Sequence, residues 1–118
     1  MNCDINSNTL IKYLDGPMDA LAVESLRAEL DALVNEGKQH VTLNFSKVDF
    51  IDSSGIGAIV FLFKRLSSQQ RKLWLEQVNG QPLQLIQYLR IDQAITLLSE
   101  EEAKSINLLE ESSEGAEL

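Results

Sequence analysis

The sequence is poorest in the residues that staple small domains or hold metals. It contains one cysteine, Cys3, and one histidine, His40. An intramolecular disulfide is therefore impossible, and the Cys/His set of an ordinary zinc site is missing. The longest apolar stretch, Ile56 to Phe63, falls well short of the roughly 17–25 residues that cross a bilayer, so no membrane insertion is expected. Met1-Asn2-Cys3-Asp4 offers neither a basic region nor an apolar run, which sets a cytoplasmic location as the expectation. Basic residues are scarce too: residues 1–98 hold eleven acids against nine bases, and residues 99–118 hold seven acids against Lys104 alone. Without clustered Lys and Arg to neutralise phosphates, no nucleic-acid partner is expected. What is present, 118 residues of which 44% are hydrophobic, suffices for one core and leaves little room for two. Residues 1–108 are read as one domain, and 109–118, with Glu110, Glu111, Ser112, Ser113 and Glu114, as an acidic, flexible tail.

Along the chain the hydrophobic period changes repeatedly. Ile5 to Asp15 mixes apolar and polar positions around Asn6-Ser7-Asn8 and predicts a hairpin. After Gly16-Pro17, the spacing of Val23, Leu26, Leu30, Leu33 and Val34 predicts one helix face, with Asp19 placed to cap it and Gly37 able to end it in the left-handed conformation. Val41, Leu43 and Phe45 alternate with Thr42 and Asn44, as in a strand with one side on a core. From Ile56 a helical stripe of Ile56, Ile59, Val60, Phe63 and Leu66 takes over. Leu73 to Val78 reads as a strand, Pro82 to Tyr88 as a helix with proline in its first turn, and Ala94 to Leu98 as a last strand. Ser99, followed by three glutamates, is placed to cap a C-terminal helix. Alternating strands and helices predict an α/β fold, with a sheet made mixed by the opening hairpin.

Enzymatic chemistry finds little support in these residues. A serine nucleophile needs a base beside it, and His40 precedes the strand at Val41, at the far end from Ser53. Gly55-Ile56-Gly57 begins like a dinucleotide loop, but Val60 stands in the place of the third glycine, and no Gly-Lys-Ser/Thr follows. Asp49 and Asp52 are an odd number of strand positions apart, which points them to opposite faces. The informative segment is Val48-Asp49-Phe50-Ile51-Asp52-Ser53-Ser54-Gly55-Ile56-Gly57. One reading is a strand-to-helix turn in which Asp52, Ser53 or Ser54 caps the helix and the glycines permit close packing. The other is a phosphosite, because free N–H groups and the helix dipole both favour an anion at a helix start.

In this segment, and in the Val-Thr-Leu-Asn-Phe strand before it, the chain resembles the STAS domains, the family of bacterial anti-sigma factor antagonists. The likeness runs in register from the first hairpin to the helix near Ser99. It implies a single STAS-type domain with helices packed mainly on one face of the sheet. It also implies that Ser53 is the serine phosphorylated by an anti-sigma factor that is itself a serine kinase. Asp52 would orient the hydroxyl, and Ser54 and Gly55 would shape the turn. The family's Gly-x-x-Asp matches Gly16-Pro17-Met18-Asp19, with Pro17 where a charged residue is commoner, so the likeness places Asp19 near Ser53. Asn44 matches the asparagine of the preceding strand.

Beyond the resemblance, Phe61 and Leu62 lie off the predicted helix stripe with Arg65 close by. Such broad apolar character means either deep burial or a partner face comprising Ile56, Phe61, Leu62 and Arg65. The function implied by the resemblance is partner switching: the unphosphorylated domain holds the kinase, phosphorylation of Ser53 releases it, and a PP2C-type phosphatase resets the switch. A second expectation keeps the fold but makes the chain a regulatory STAS subunit of a lipid or anion transporter. No catalytic residue and no cofactor are assigned.

Overall fold

The computed structural model describes residues 8–99 and 102. Four strands are laid down in chain order: β1 (Thr9–Asp15), β2 (His40–Lys47), β3 (Leu73–Glu76) and β4 (Thr96–Leu98). They form one sheet of order β1-β2-β3-β4, and every pairing is parallel. Helices α1 (Ala20–Asn35), α2 (Ser53–Ser68) and α3 (Gly80–Tyr88) make the three connections, with a 3-10 turn at Ile91–Gln93 before β4. Right-handed connections in an order that never reverses send successive helices to the same face. The α/β class is as expected. The hairpin that would make the sheet mixed falls partly on residues 1–7, outside the described residues, and its second half is β1.

The core lies between the sheet and the helices. Val41, Leu43 and Phe45 of β2 and Leu73 and Leu75 of β3 meet Leu30 and Val34 of α1, and Ile59, Leu62 and Leu66 of α2. Strand β2 departs from the one-sided reading, because Thr42 and Asn44 are also buried, at 3% and 6% exposure. It is a central strand, and on the face away from the helices the neighbouring side chains in register, Ile11 and Trp74 beside Thr42 and Tyr13 and Glu76 beside Asn44, flank both residues. Strand β1, outermost on its side of the sheet among the described residues, places Lys12 on the helix side, where its ammonium pairs with Glu29 of α1.

The end of α1 corrects a second expectation. The helix stops at Glu36 in the right-handed region, and Gly37 serves close approach instead. A Cβ there would lie 3.0 Å from the Leu33 carbonyl oxygen and 3.1 Å from Nη2 of Arg71. The buried Arg71 guanidinium takes that space, donating to the carbonyls of Val34 (3.3 Å) and Gln39 (2.6 Å) and to Oε1 of Gln69 (2.7 Å). A cation is well placed against the orphan carbonyls of a helix end, although desolvation lowers its pKa from the ordinary arginine value. After β4, Ser99 and Glu102 exchange backbone-to-side-chain hydrogen bonds of 2.9 and 3.1 Å. That is a reciprocal capping box at the predicted position. The acidic tail, 109–118, lies outside the described residues.

Candidate functional site

The site is assembled where two helices begin side by side. After β2 the chain turns back, with the Val48 N–H on the Phe45 carbonyl (3.0 Å), and Ile51 forms an isolated parallel bridge with Met18. Met18 donates to the Phe50 carbonyl (2.9 Å) and accepts from the Asp52 N–H (3.2 Å). Asp19 and Asp52, each one residue past the bridge, are the N-caps of α1 and α2. The Asp19 carboxylate accepts from the Ala22 N–H at 2.9 Å. Asp52 accepts from two, Ser54 at 2.8 Å and Gly55 at 3.2 Å. Of the three candidate caps, Asp52 is the one used, and its recorded bonds go to the backbone of the turn rather than to the Ser53 hydroxyl.

Ser53 is the first residue of α2 and is exposed. Among the described residues none hydrogen-bonds its hydroxyl, so the oxygen faces solvent at the positive end of the helix. Ser54 is half-buried and Gly55 buried. Only glycine fits at 55: a Cβ would come within 2.5 Å of Ile51 Cγ1, 2.6 Å of the Met18 carbonyl oxygen and 2.9 Å of Met18 Cβ. That approach lets α2 start against the bridge. His40 lies at the opposite end of β2, where its Nδ1 accepts from the Lys72 N–H (2.9 Å), far from Ser53.

Two site residues from the sequence reading are placed elsewhere. Asn44 does not enter the turn. Its Nδ2 donates to Oε2 of buried Glu76 (2.7 Å), and its Oδ1 accepts from the N–H and hydroxyl of Ser46 (2.9 and 2.6 Å). The alternation of β2 points it away from the face of Leu43 and Phe45. Leu62 is not available to a partner, because it has no exposure at all and belongs to the core. Phe61, by contrast, is 43% exposed, and the exposed Arg65 guanidinium lies 5.5 Å from its ring centre. Ile56 is half-buried against the core. Between α1 and α2 runs an open groove of about 590 Å³, lined by Val23, Arg27, Ser54, Gly57, Ala58 and Phe61 among others.

One residue at the site was missed entirely by the sequence. Gln81, at the start of α3, accepts from the Ile51 N–H through Oε1 (2.8 Å) and donates from Nε2 to the Ile51 carbonyl (2.9 Å). No local pattern marks it, since the pairing spans thirty residues.

The sequence profile of the STAS domain matches residues 1–104. This chain belongs to the STAS domain family. Over 66 residues it is 35% identical to the putative anti-sigma factor antagonist BtrV of Bordetella bronchiseptica, covering 56% of this chain and 57% of that protein. The match thus spans little more than half the length of that relative. An anti-sigma-B factor antagonist of Staphylococcus aureus is 27% identical over 83 residues, covering 67% of this chain and 77% of the relative. Among solved structures, the unphosphorylated anti-sigma factor antagonist SpoIIAA superposes with a TM-score of 0.68 at 22% identity, covering 87% of this STAS chain and 90% of SpoIIAA. A sulfate transporter family protein of Wolinella succinogenes gives 0.71 at 17% identity, covering 89% and 88%. At those identities the likenesses establish the fold, which regulators and transporter-linked domains share. Among the described residues no helix is long and apolar enough to cross a membrane.

Proposed function

We propose that this STAS domain is an anti-sigma factor antagonist that works by partner switching, with Ser53 as the switch. Unphosphorylated, it holds an anti-sigma factor serine kinase; phosphorylated on Ser53, it lets go, and a PP2C-type phosphatase restores the first state. The observation that carries this reading is the exposed Ser53 hydroxyl, without a hydrogen-bond partner among the described residues, on the first residue of a helix whose cap is supplied by its neighbour. The curated relatives named anti-sigma factor antagonists support the same reading.

The electrostatics of the turn give the switch its direction. A phosphoserine brings about −1.5 to −2 charges. The Asp52 carboxylate already holds the N–H groups of Ser54 and Gly55, so the phosphate is added beside a charge that the helix end has already accommodated. In the free domain the phosphate stays hydrated. Against a kinase surface shaped for a hydroxyl it must shed water next to Asp52, and an uncompensated buried charge costs several kcal/mol. Exposed Phe61 and Arg65 lie along the same helix and supply the apolar and cationic part of the partner face.

The test is phosphate incorporation with ATP and the anti-sigma factor kinase encoded in the same genome. One phosphate, located on Ser53 by mass spectrometry and absent from Ser53→Ala, is the expected result. Phosphate found only on Ser54 would move the site, and none at all would favour a transporter-linked role.

A further inference from the structure

Ile51 is fully buried and belongs to no strand, so the pairing of its backbone needs a source. The bridge to Met18 uses the flanking groups, the Phe50 carbonyl and the Asp52 N–H. The Ile51 N–H and carbonyl point the opposite way, toward the side of β3, which has ended at Glu76. The two bonds from Gln81 fill that gap. A primary amide is the one side-chain group that offers a donor and an acceptor in the geometry of a peptide unit, and Gln81 presents both to one residue, as a neighbouring strand would. The segment Phe50–Asp52 is thereby paired on both sides, by backbone on one and by a side chain on the other, immediately before Ser53.

We infer that Gln81 is a positioning residue, an amide clamp that fixes the register of the segment presenting Ser53 and couples the start of α3 to the switch. The clamp itself stands on geometry alone; its effect on phosphorylation rests on the function proposed above. α3 can bear this role because Pro82 and Ile86 seat it in the core, so the amide is delivered from a fixed element. A shift of α3 would be transmitted to Ile51 and, through one further residue, to Ser53.

Amide hydrogen exchange of the full chain, followed residue by residue by NMR, tests the clamp without any partner. Gln81→Met keeps length and volume and removes both hydrogen bonds. The Ile51 amide should then exchange at least about tenfold faster, while Leu43 and Leu75 in the sheet centre keep wild-type protection. Gln81→Glu keeps an acceptor for the Ile51 N–H but sets a carboxylate oxygen against the Ile51 carbonyl oxygen where the amide donated, so Ile51 should again exchange faster than in the wild-type domain, which shows that both halves of the amide are needed. Unchanged Ile51 exchange in Gln81→Met, or equal loss across Leu43 and Leu75, would overturn the clamp. A second arm measures the rate of Ser53 phosphorylation by the same kinase, expected to fall at least about threefold in Gln81→Met. Faster exchange with an unaltered phosphorylation rate would refute the coupling to the switch. If wild-type protein takes up no phosphate, the functional reading fails and the exchange arm alone decides the clamp.

Discussion

The two helices that begin at the Met18–Ile51 bridge start almost identically and end up with different capacities. Each follows an aspartate N-cap in extended conformation, and each presents its positive end to the same edge of the sheet. Position by position, Ala20 answers to Ser53, Ala22 to Gly55 and Glu24 to Gly57. α1 has aliphatic side chains in its first turn where α2 has two hydroxyls and a glycine. An anion-friendly helix end is thus a shared feature of the fold, whereas a modifiable helix end depends on a few residues. Backbone geometry is common to both helix starts, and the proposed switch belongs to the one that carries Ser53 in a close-packed turn.

The largest expected effect separates the two helix starts by charge. Ser53→Asp and Ala20→Asp each put a carboxylate on the first residue of a helix, where the dipole favours it. Both variants should keep the wild-type circular dichroism spectrum and melt within a few degrees of the parent. Kinase capture should fall more than about a hundredfold for Ser53→Asp, equivalent to about 2.7 kcal/mol, and less than about tenfold for Ala20→Asp. Equal losses, read by titration calorimetry, would mean that the kinase senses net charge at this edge rather than the Ser53 position.

Packing gives the next contrast. Gly55→Ala must displace the Ile51 side chain or the Met18 backbone, and overpacking of this kind costs about 1–3 kcal/mol. The converse change in α1, Ala22→Gly, loses only helix propensity, about 0.5–1 kcal/mol. Urea denaturation of both variants checks the order, and a neutral Gly55→Ala would show that the bridge can yield. Removal of the caps is a finer comparison. Asp19→Ala and Asp52→Ala should each cost about 1 kcal/mol, with Asp52→Ala the more damaging because its carboxylate serves two N–H groups and that of Asp19 one.

How much of this was legible in the chain varied with the range of the interactions. The element order, the Asp19 and Ser99 caps, and Asp52 as one of three candidate caps follow from local patterns, because caps and periods act within one turn. The stripe of α2 was misplaced for a physical reason. Its residues from Ile59 to Phe63 are all apolar, so two adjacent faces satisfy the same spacing. The face that packs on the sheet runs through Gly55, Ala58, Ile59, Leu62 and Leu66, which turns Leu62 from a partner residue into core. Arg71 and Gln81 escaped altogether, and Asn44 was assigned to the turn rather than to Glu76. The partners that place them, Glu76, Val34 and Ile51, lie about thirty or more residues away, and only the parallel crossovers bring them together.

The smallest predicted effect concerns two glycines of α2 that lie two residues apart and face opposite environments. Gly55 is pressed against the bridge, whereas a Cβ built on Gly57 meets nothing within 4 Å. Gly57 is exposed beside the groove between α1 and α2 and has an ordinary helical φ. Nothing within the chain therefore requires glycine there. Because Gly is the costlier residue in a helix interior and leaves the unfolded chain more freedom to lose, Gly57→Ala should stabilise the domain by about 0.4–1 kcal/mol. In a domain of this size that is a rise of a few degrees in melting temperature, opposite in sign to Gly55→Ala. Loss of stability in Gly57→Ala, measured in the free domain by calorimetry, would show that the groove closes over this position, and the contrast between the two glycines would then collapse.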